Sequence, residues 1–361
     1  MTLDKFLPRR EVANGKFVGD KACAACHAQM STTQPRTPMA NALALPGQSK
    51  ILRSHPRMTF RTGPYSYEIF SDGPRWLYRV SDGEQTQTEP LLYAFGVGMV
   101  AQTYLYRHEG KLFESRVSFY TALDGLDWTV GDALSSTPGV EDAAGRDISG
   151  DEVRNCFSCH GTNSVSGGKL DLSTMIPGVI CEACHGPGEK HAVAMLFGVS
   201  DVSDPLIFNP RTLGPESLSQ GYCGACHRGV DAVAVMPDLG GINNVRFQPY
   251  RLYNSRGHDP KDPHFACTVC HDPHTDLHES IAFYDSRCTN CHTPRPGSRS
   301  PTATGGDAQA GKRANSSAPS CPVGKENCVS CHMPKVVLPA AHFQFTDHRI
   351  RIARVGEPYP Y

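Results

Sequence analysis

The sequence predicts mostly short α-helices and irregular loops wrapped around bound groups, with a small antiparallel β insert, rather than one large side-chain core. Three observations predict this. Only 39% of the 361 residues are hydrophobic, which is low for a globular chain of this length. Glycine (34) and proline (28) are frequent enough to interrupt long helices and central strands. Fourteen of the fifteen cysteines fall into seven copies of one pattern, Cys-x-x-Cys-His.

The copies are Cys23–Cys26–His27, Cys156–Cys159–His160, Cys181–Cys184–His185, Cys223–Cys226–His227, Cys267–Cys270–His271, Cys288–Cys291–His292 and Cys328–Cys331–His332. Each is the attachment signature of a c-type haem. Two residues between the thiols let them reach both vinyl-derived carbons of one porphyrin, and the adjacent imidazole falls under the iron as proximal ligand. Zinc sites need a second cysteine pair and usually space their histidines. A thioredoxin-like redox pair occurs once per domain, and a disulfide framework would not place histidine after every second cysteine. The expected fold class is therefore a multihaem cytochrome c with seven haem c groups, each an apolar disc in a polar chain.

Residues 1–54 form a first-haem segment, 55–135 a β-rich insert, and 136–361 a six-haem region. In the insert YSYEIF, WLYRV, QTYLYR and LFESRVSF read as strands, punctuated by Asp72–Gly73, Asp82–Gly83 and Glu109–Gly110. Tyr65, Tyr67 and Ile69 alternate on one face, as do Trp76, Tyr78 and Val80. Four or five strands are expected, forming a packing platform. Residues 294–320 are rich in Pro, Gly, Ser and Ala and read as a long flexible loop.

Of sixteen histidines, seven are proximal and nine remain: His55, His108, His191, His258, His264, His274, His278, His342 and His348. Supply exceeds the demand of seven irons, which favours six-coordinate, mostly bis-His haems and electron transfer. His191 closes CHGPGEKH, and His274 closes CHDPH, where Pro273 turns the chain so that two imidazoles face different haems. His342 and His348 lie in HFQFTDH shortly after the last motif. Of His258 and His264, before the fifth motif, at least one is expected to ligate. For the first haem, Met39 and His55 are the nearest candidates, and a methionine ligand would raise its potential. His108 and His278 read as solvated. Cys321 belongs to no motif and reads as either a buried, inert thiol or a site of intermolecular pairing.

Basic and acidic residues nearly balance, 35 against 36, so there is no basic face for nucleic acid. No apolar run approaches the ~18 residues of a transmembrane helix. Haem attachment takes place outside the cytoplasm, so a periplasmic or extracellular location is expected, although Met1–Arg10 has no apolar signal core.

FVGDKACAACH with a downstream TPMA, then CEACHGPGEKH, VRFQPYRL, CTVCHDPH, CVSCHMPK and FTDHRI, resembles a group of bacterial multihaem c-type cytochromes. These are related to the tetrahaem cytochromes of ammonia oxidisers and are often fused to tetratricopeptide repeats. The likeness spans roughly residues 17–352, and the chain ends at Tyr361 without a repeat domain. It implies electron transfer in exported respiratory or extracellular transport, with His191, His274 and His348 as distal ligands. The expected partners are redox proteins or other multihaem cytochromes, with self-association through end haems as a further arrangement. Two other functions stay open: an oxidoreductase with one open haem iron, and a subunit of an extracellular haem filament.

Overall fold

The computed structural model describes residues 15–131, 139–148, 150–199, 206–234, 241–262, 265–292, 326–354 and 356–359, with Cys321 and Gly324. The loop expected at 294–320, Met1–Arg10 and His264 lie outside the described residues.

A ten-stranded antiparallel sheet dominates the N-terminal part. Its strands are β1 (Leu43–Ala44), β2 (Arg57–Thr62), β3 (Tyr65–Asp72), β4 (Arg75–Ser81), β5 (Thr86–Phe95), β6 (Ala101–His108), β7 (Lys111–Ser115), β8 (Val117–Tyr120), β9 (Gly125–Trp128) and β10 (Gly145–Asp147). The main path runs β10-β7-β6-β5-β4-β3-β2, with β1 on β5 and β8 between β6 and β9. Tight turns make this meander local. At Glu109–Gly110 both central residues have positive φ, 47° and 82°, which matches the twist of the flanking strands.

Side-chain alternation builds the core. Tyr67 and Ile69 on β3 bury the same face as Trp76, Tyr78 and Val80 on β4, and Tyr104, Tyr106, Val117 and Phe119 join them. Phe60 on β2 and Tyr67 meet Trp128 on β9 edge-on, at 5.8 and 5.7 Å between ring centroids, which draws the sheet's two ends together. Edge-to-face aromatic contacts of this kind add to the area they bury.

This architecture corrects the expected fold class. The chain is not mostly short helices and loops with a small β insert, because ten strands pair where four or five were expected, around a core made of side chains. The reasons are local. Pro90 argues against a strand, yet it sits in β5 opposite Leu77, and a register shift between Leu91 and Tyr93 adjusts the pairing. LFESRVSF reads as one strand but is divided between β7 and β8 at Arg116. There the backbone leaves the ladder, its N–H donating to Ala144 O and its carbonyl accepting from Thr129. Strands β1, β9 and β10 are too short to show a period.

The sheet's other face packs against the helix of the second motif. Leu43, Leu105, Ile148, Val153 and Phe157 form a second buried cluster, flanked by Tyr93 and Phe95. Phe157 lies inside the second motif, on helix Asp151–His160, and meets Tyr93 and Phe95 edge-on at 4.9 and 5.2 Å. The sheet thus holds the second motif by an aromatic anchor. Among the described residues no helix is long and apolar enough to cross a membrane.

Replacing Phe157 with Ala should cost about 3–5 kcal/mol, as for other fully buried aromatics. Denaturant unfolding of the wild-type and variant proteins checks this, with Phe157→Leu expected to lose much less.

Candidate functional site

The motifs sit on short helices or at their ends: Asp20–Ala24, Asp151–His160, Cys181–His185, Gly224–His227, Cys267–Cys270, Ile281–His292 and Cys328–His332. Residues i, i+3 and i+4 share one helix face. Within such a turn, two thiols and an imidazole at Cys-x-x-Cys-His spacing point the same way, as attachment to the edge and centre of one flat group requires.

Three motif histidines each face a second histidine from a distant segment. The rings of His27 and His191 are 6.3 Å apart between centroids and 23° from parallel. Those of His185 and His274 are 6.2 Å apart at 18°, and those of His271 and His348 are 6.2 Å apart at 36°. This spacing is too wide for ring contact and too regular for chance. Two metal–imidazole bonds of about 2 Å plus the half-width of each ring put the centroids roughly 6 Å apart. The residues present therefore fit an iron held between paired imidazoles.

The second ring nitrogens agree with this. His160 Nδ1 lies 3.1 Å from Ala42 O, His185 Nδ1 3.0 Å from Phe208 O, and His332 Nδ1 2.8 Å from Arg351 O. His348 Nδ1 lies 3.0 Å from Thr346 O. A carbonyl can only accept, so each Nδ1 carries the proton and Nε2 keeps a lone pair for a metal. Burial pushes the His348 imidazole down to about 4, and it also lowers His160, His185, His227 and His271. Neutral imidazole is the ligating form.

The remaining candidates are placed differently. His55 has Nδ1 beside Ile51 O and Nε2 2.9 Å from Asp124 Oδ1. His258 Nε2 meets Glu216 at 3.0 Å, and His342 Nε2 meets Asp127 at 2.8 Å. Met39 is half-buried, and its carbonyl accepts from Val179 N–H at 3.0 Å. His160, His227 and His332 are not ring-paired with a second histidine among the described residues, and His292 is exposed. His108, read as solvated, instead bonds Glu89 at 2.6 Å, which raises its pKa. Cys321 is exposed, which removes the buried reading.

The motifs also touch one another. The thiols of Cys23 and Cys181 hydrogen-bond, as do those of Cys223 and Cys267. Tyr222 donates to Cys184 O, and Cys159 Sγ approaches Ala225 O at 3.9 Å. The ring of His271 meets Tyr284, on the sixth motif's helix, at 5.7 Å. Asp285, on the same helix, accepts from Asn327 N–H (2.5 Å) and Val329 N–H (3.3 Å) at the seventh motif. The attachment segments therefore run 1–3–4–5–6–7 in space, with the second motif beside the fourth. None of the fourteen cysteines with described side chains is in a disulfide. Burial raises the Cys156 and Cys288 thiols to about 12 and 11, unlike the low values of thiolate nucleophiles.

Some structural residues of the site carried no signal in the sequence reading. Asp347, next to His348, does not touch that imidazole. It forms a fully buried bidentate pair with Arg251, at 2.8 and 2.9 Å, and also accepts from Arg351 at 2.7 Å. Burial opposes its charge, but the arginines prevail and hold the carboxyl below its usual range. Arg256, Arg349, Arg351, Arg354, Asn254 and Glu357 line a cavity of about 680 Å³ next to this pair, a cationic lining suited to carboxylates such as haem propionates.

Removing one member of a buried pair strands the other's charge. Asp347→Ala should therefore cost about 3–5 kcal/mol, and Arg251→Met with Asp347→Leu less than the summed single effects. Urea unfolding midpoints measure both. The folded carboxyl titrates below its unfolded value, so this stabilisation is present above the unfolded pKa and is lost as pH falls through the folded one. The deficit of Asp347→Ala should accordingly shrink in strong acid.

No protein-family model matches this chain, and no curated protein matches it. Among solved structures, the outer cell wall cytochrome OcwA is similar over 58% of this chain and 37% of its own, at 17% identity and a TM-score of 0.33. The chain thus spans well under half of that neighbour's length.

Proposed function

We propose that this chain is an exported electron carrier that binds seven haem c groups, most of them six-coordinate. The observation that carries this reading is the set of three histidine pairs, each joining a motif histidine to one outside the motifs at 6.2–6.3 Å. Haem c, when bound, supplies a one-electron iron couple. The chain's own contribution is to attach, ligate and enclose. Cys23, Cys26, Cys156, Cys159, Cys181, Cys184, Cys223, Cys226, Cys267, Cys270, Cys288, Cys291, Cys328 and Cys331 form the thioethers, and the seven motif histidines are the proximal ligands. His191, His274 and His348 are distal ligands to the first, third and fifth groups. Carbonyls at Phe208 and Thr346 hold His185 and His348 in one tautomer, which supports ligand basicity and orientation. With the paired imidazoles His27–His191, His185–His274 and His271–His348 as its holders, such a group would supply a one-electron couple rather than a substrate site, which suits electron transfer to protein partners in the periplasm or outside the cell.

Intact mass should exceed the polypeptide's 39.2 kDa by seven haem masses, with a c-type pyridine haemochrome spectrum; six or fewer groups in matured protein would refute the count. In His348→Ala, one low-spin ferric haem should become high-spin and one potential should rise. An unchanged electron paramagnetic resonance spectrum with unchanged potentials would remove His348 from the ligand set.

A further inference from the structure

Fourteen residues stand between the paired cysteines of the seven motifs, and thirteen are uncharged: Ala24, Ala25, Phe157, Ser158, Ala183, Gly224, Ala225, Thr268, Val269, Thr289, Asn290, Val329 and Ser330. The other is Glu182, in the third motif. Its carboxylate is not a solvated charge, since the residue is only 1% exposed. Attachment of the third group does not need it there, because the other motifs do without.

Its partners are backbone N–H groups from two other segments. Glu182 Oε2 accepts from Gly19 N–H at 2.7 Å and Val18 N–H at 3.1 Å, and Oε1 accepts from Val18 N–H at 2.9 Å and Gly188 N–H at 2.8 Å. Val18 and Gly19 lead into the first motif, and Gly188 immediately precedes the helix Glu189–Leu196 that carries His191. Gly188 suits this close approach. A Cβ there would lie 3.3 Å from Glu182 Oε1, closer than most side-chain contacts, and would also touch Val18 Cγ2 at 3.4 Å. Two more bonds join the same segments: Glu189 N–H to Lys16 O at 3.2 Å, and Cys181 N–H to Asp20 Oδ1 at 3.3 Å. An apolar residue at 182 would remove the acceptor of three N–H groups, one of which, that of Gly188, is buried and would be left unpaired.

We infer that Glu182 is a positioning residue that brings His191 opposite His27, by clamping to the third motif both the lead-in of the first motif and the turn before His191. The carboxylate touches neither imidazole. It sets the meeting of two segments that are far apart in sequence. This inference rests on the reading that His27 and His191 ligate one haem iron.

The test uses matured holoprotein: wild type, E182Q, E182A, H191A and the double variant E182A/H191A. The measurements are ferric electron paramagnetic resonance, electronic spectra and a redox titration. In E182A one haem equivalent should turn high-spin, with the same potential displaced as in H191A, and the double variant should show one equivalent rather than two. E182Q keeps one acceptor oxygen but turns an NH₂ group towards N–H donors, so it should show a fraction of that equivalent at the same haem. If H191A itself leaves every signal low-spin, the ligand reading fails, and this inference fails with it. If H191A gives high-spin signal while E182A and E182Q stay low-spin at unchanged potential, even with a lowered melting temperature, Glu182 is only structural and the inference is overturned. Loss of several haems in both Glu182 variants would overturn it equally, by showing a global rather than a local role.

Discussion

A Cys-x-x-Cys-His turn can present only one imidazole to the group it attaches, because the helical repeat brings i, i+3 and i+4 to one side and leaves the opposite side empty. A second imidazole has to come from elsewhere in the chain. Here it comes from afar: His191 reaches back to the first motif, His274 to the third, and His348 to the fifth. The C-terminal part is built around these crossings. Each supplier segment follows another motif, so the crossings link the first motif to the third, the third to the fifth and the fifth to the seventh. This explains how short helices with few mutual contacts keep a defined arrangement.

Buried carboxylates tie together the segments around these motifs. Glu182 accepts from the first-motif lead-in, Asp285 from the seventh motif, and Asp347 from Arg251 and Arg351. Taking a carboxylate out of water is costly unless its oxygens are met by donors. Each of these oxygens is met, and the directionality of the bonds fixes where the segment lies. Apolar contact would tolerate sliding, whereas a bidentate guanidinium–carboxylate pair does not. The pair beside His348 is therefore placed where a small displacement would matter most.

The sheet has a different role. Its aromatic core is closed by ordinary side-chain burial. Through Phe157 it anchors the helix of the second motif, and Ala42 O beside β1 meets His160. One face thus stabilises the unit while the other supports the second motif, which the approach of Cys159 Sγ to Ala225 O places beside the fourth rather than between the first and third.

How much of this was legible in the sequence follows from the range of each interaction. The Cys-x-x-Cys-His repeats, the face shared by Trp76, Tyr78 and Val80, and the Glu109–Gly110 turn depend on neighbours a few residues away, and those were readable. His274 and His348 could be singled out by their motifs, but not matched to His185 and His271, because a ring-to-ring pairing leaves no spacing rule in the chain. The extent of the sheet was hidden by Pro90 and by the break at Arg116, whose backbone bonds go to Ala144 and Thr129, residues that only the fold brings near. Glu182 looked like any glutamate, and Asp347 like a group that could orient His348, a task that falls to Thr346 O while Asp347 pairs with Arg251. Sequence determined the number and spacing of the Cys-x-x-Cys-His turns, since that pattern is local. Tertiary structure alone decided which imidazoles meet, which motifs touch and which charges are buried, because burial and long-range hydrogen bonding belong to the folded chain as a whole.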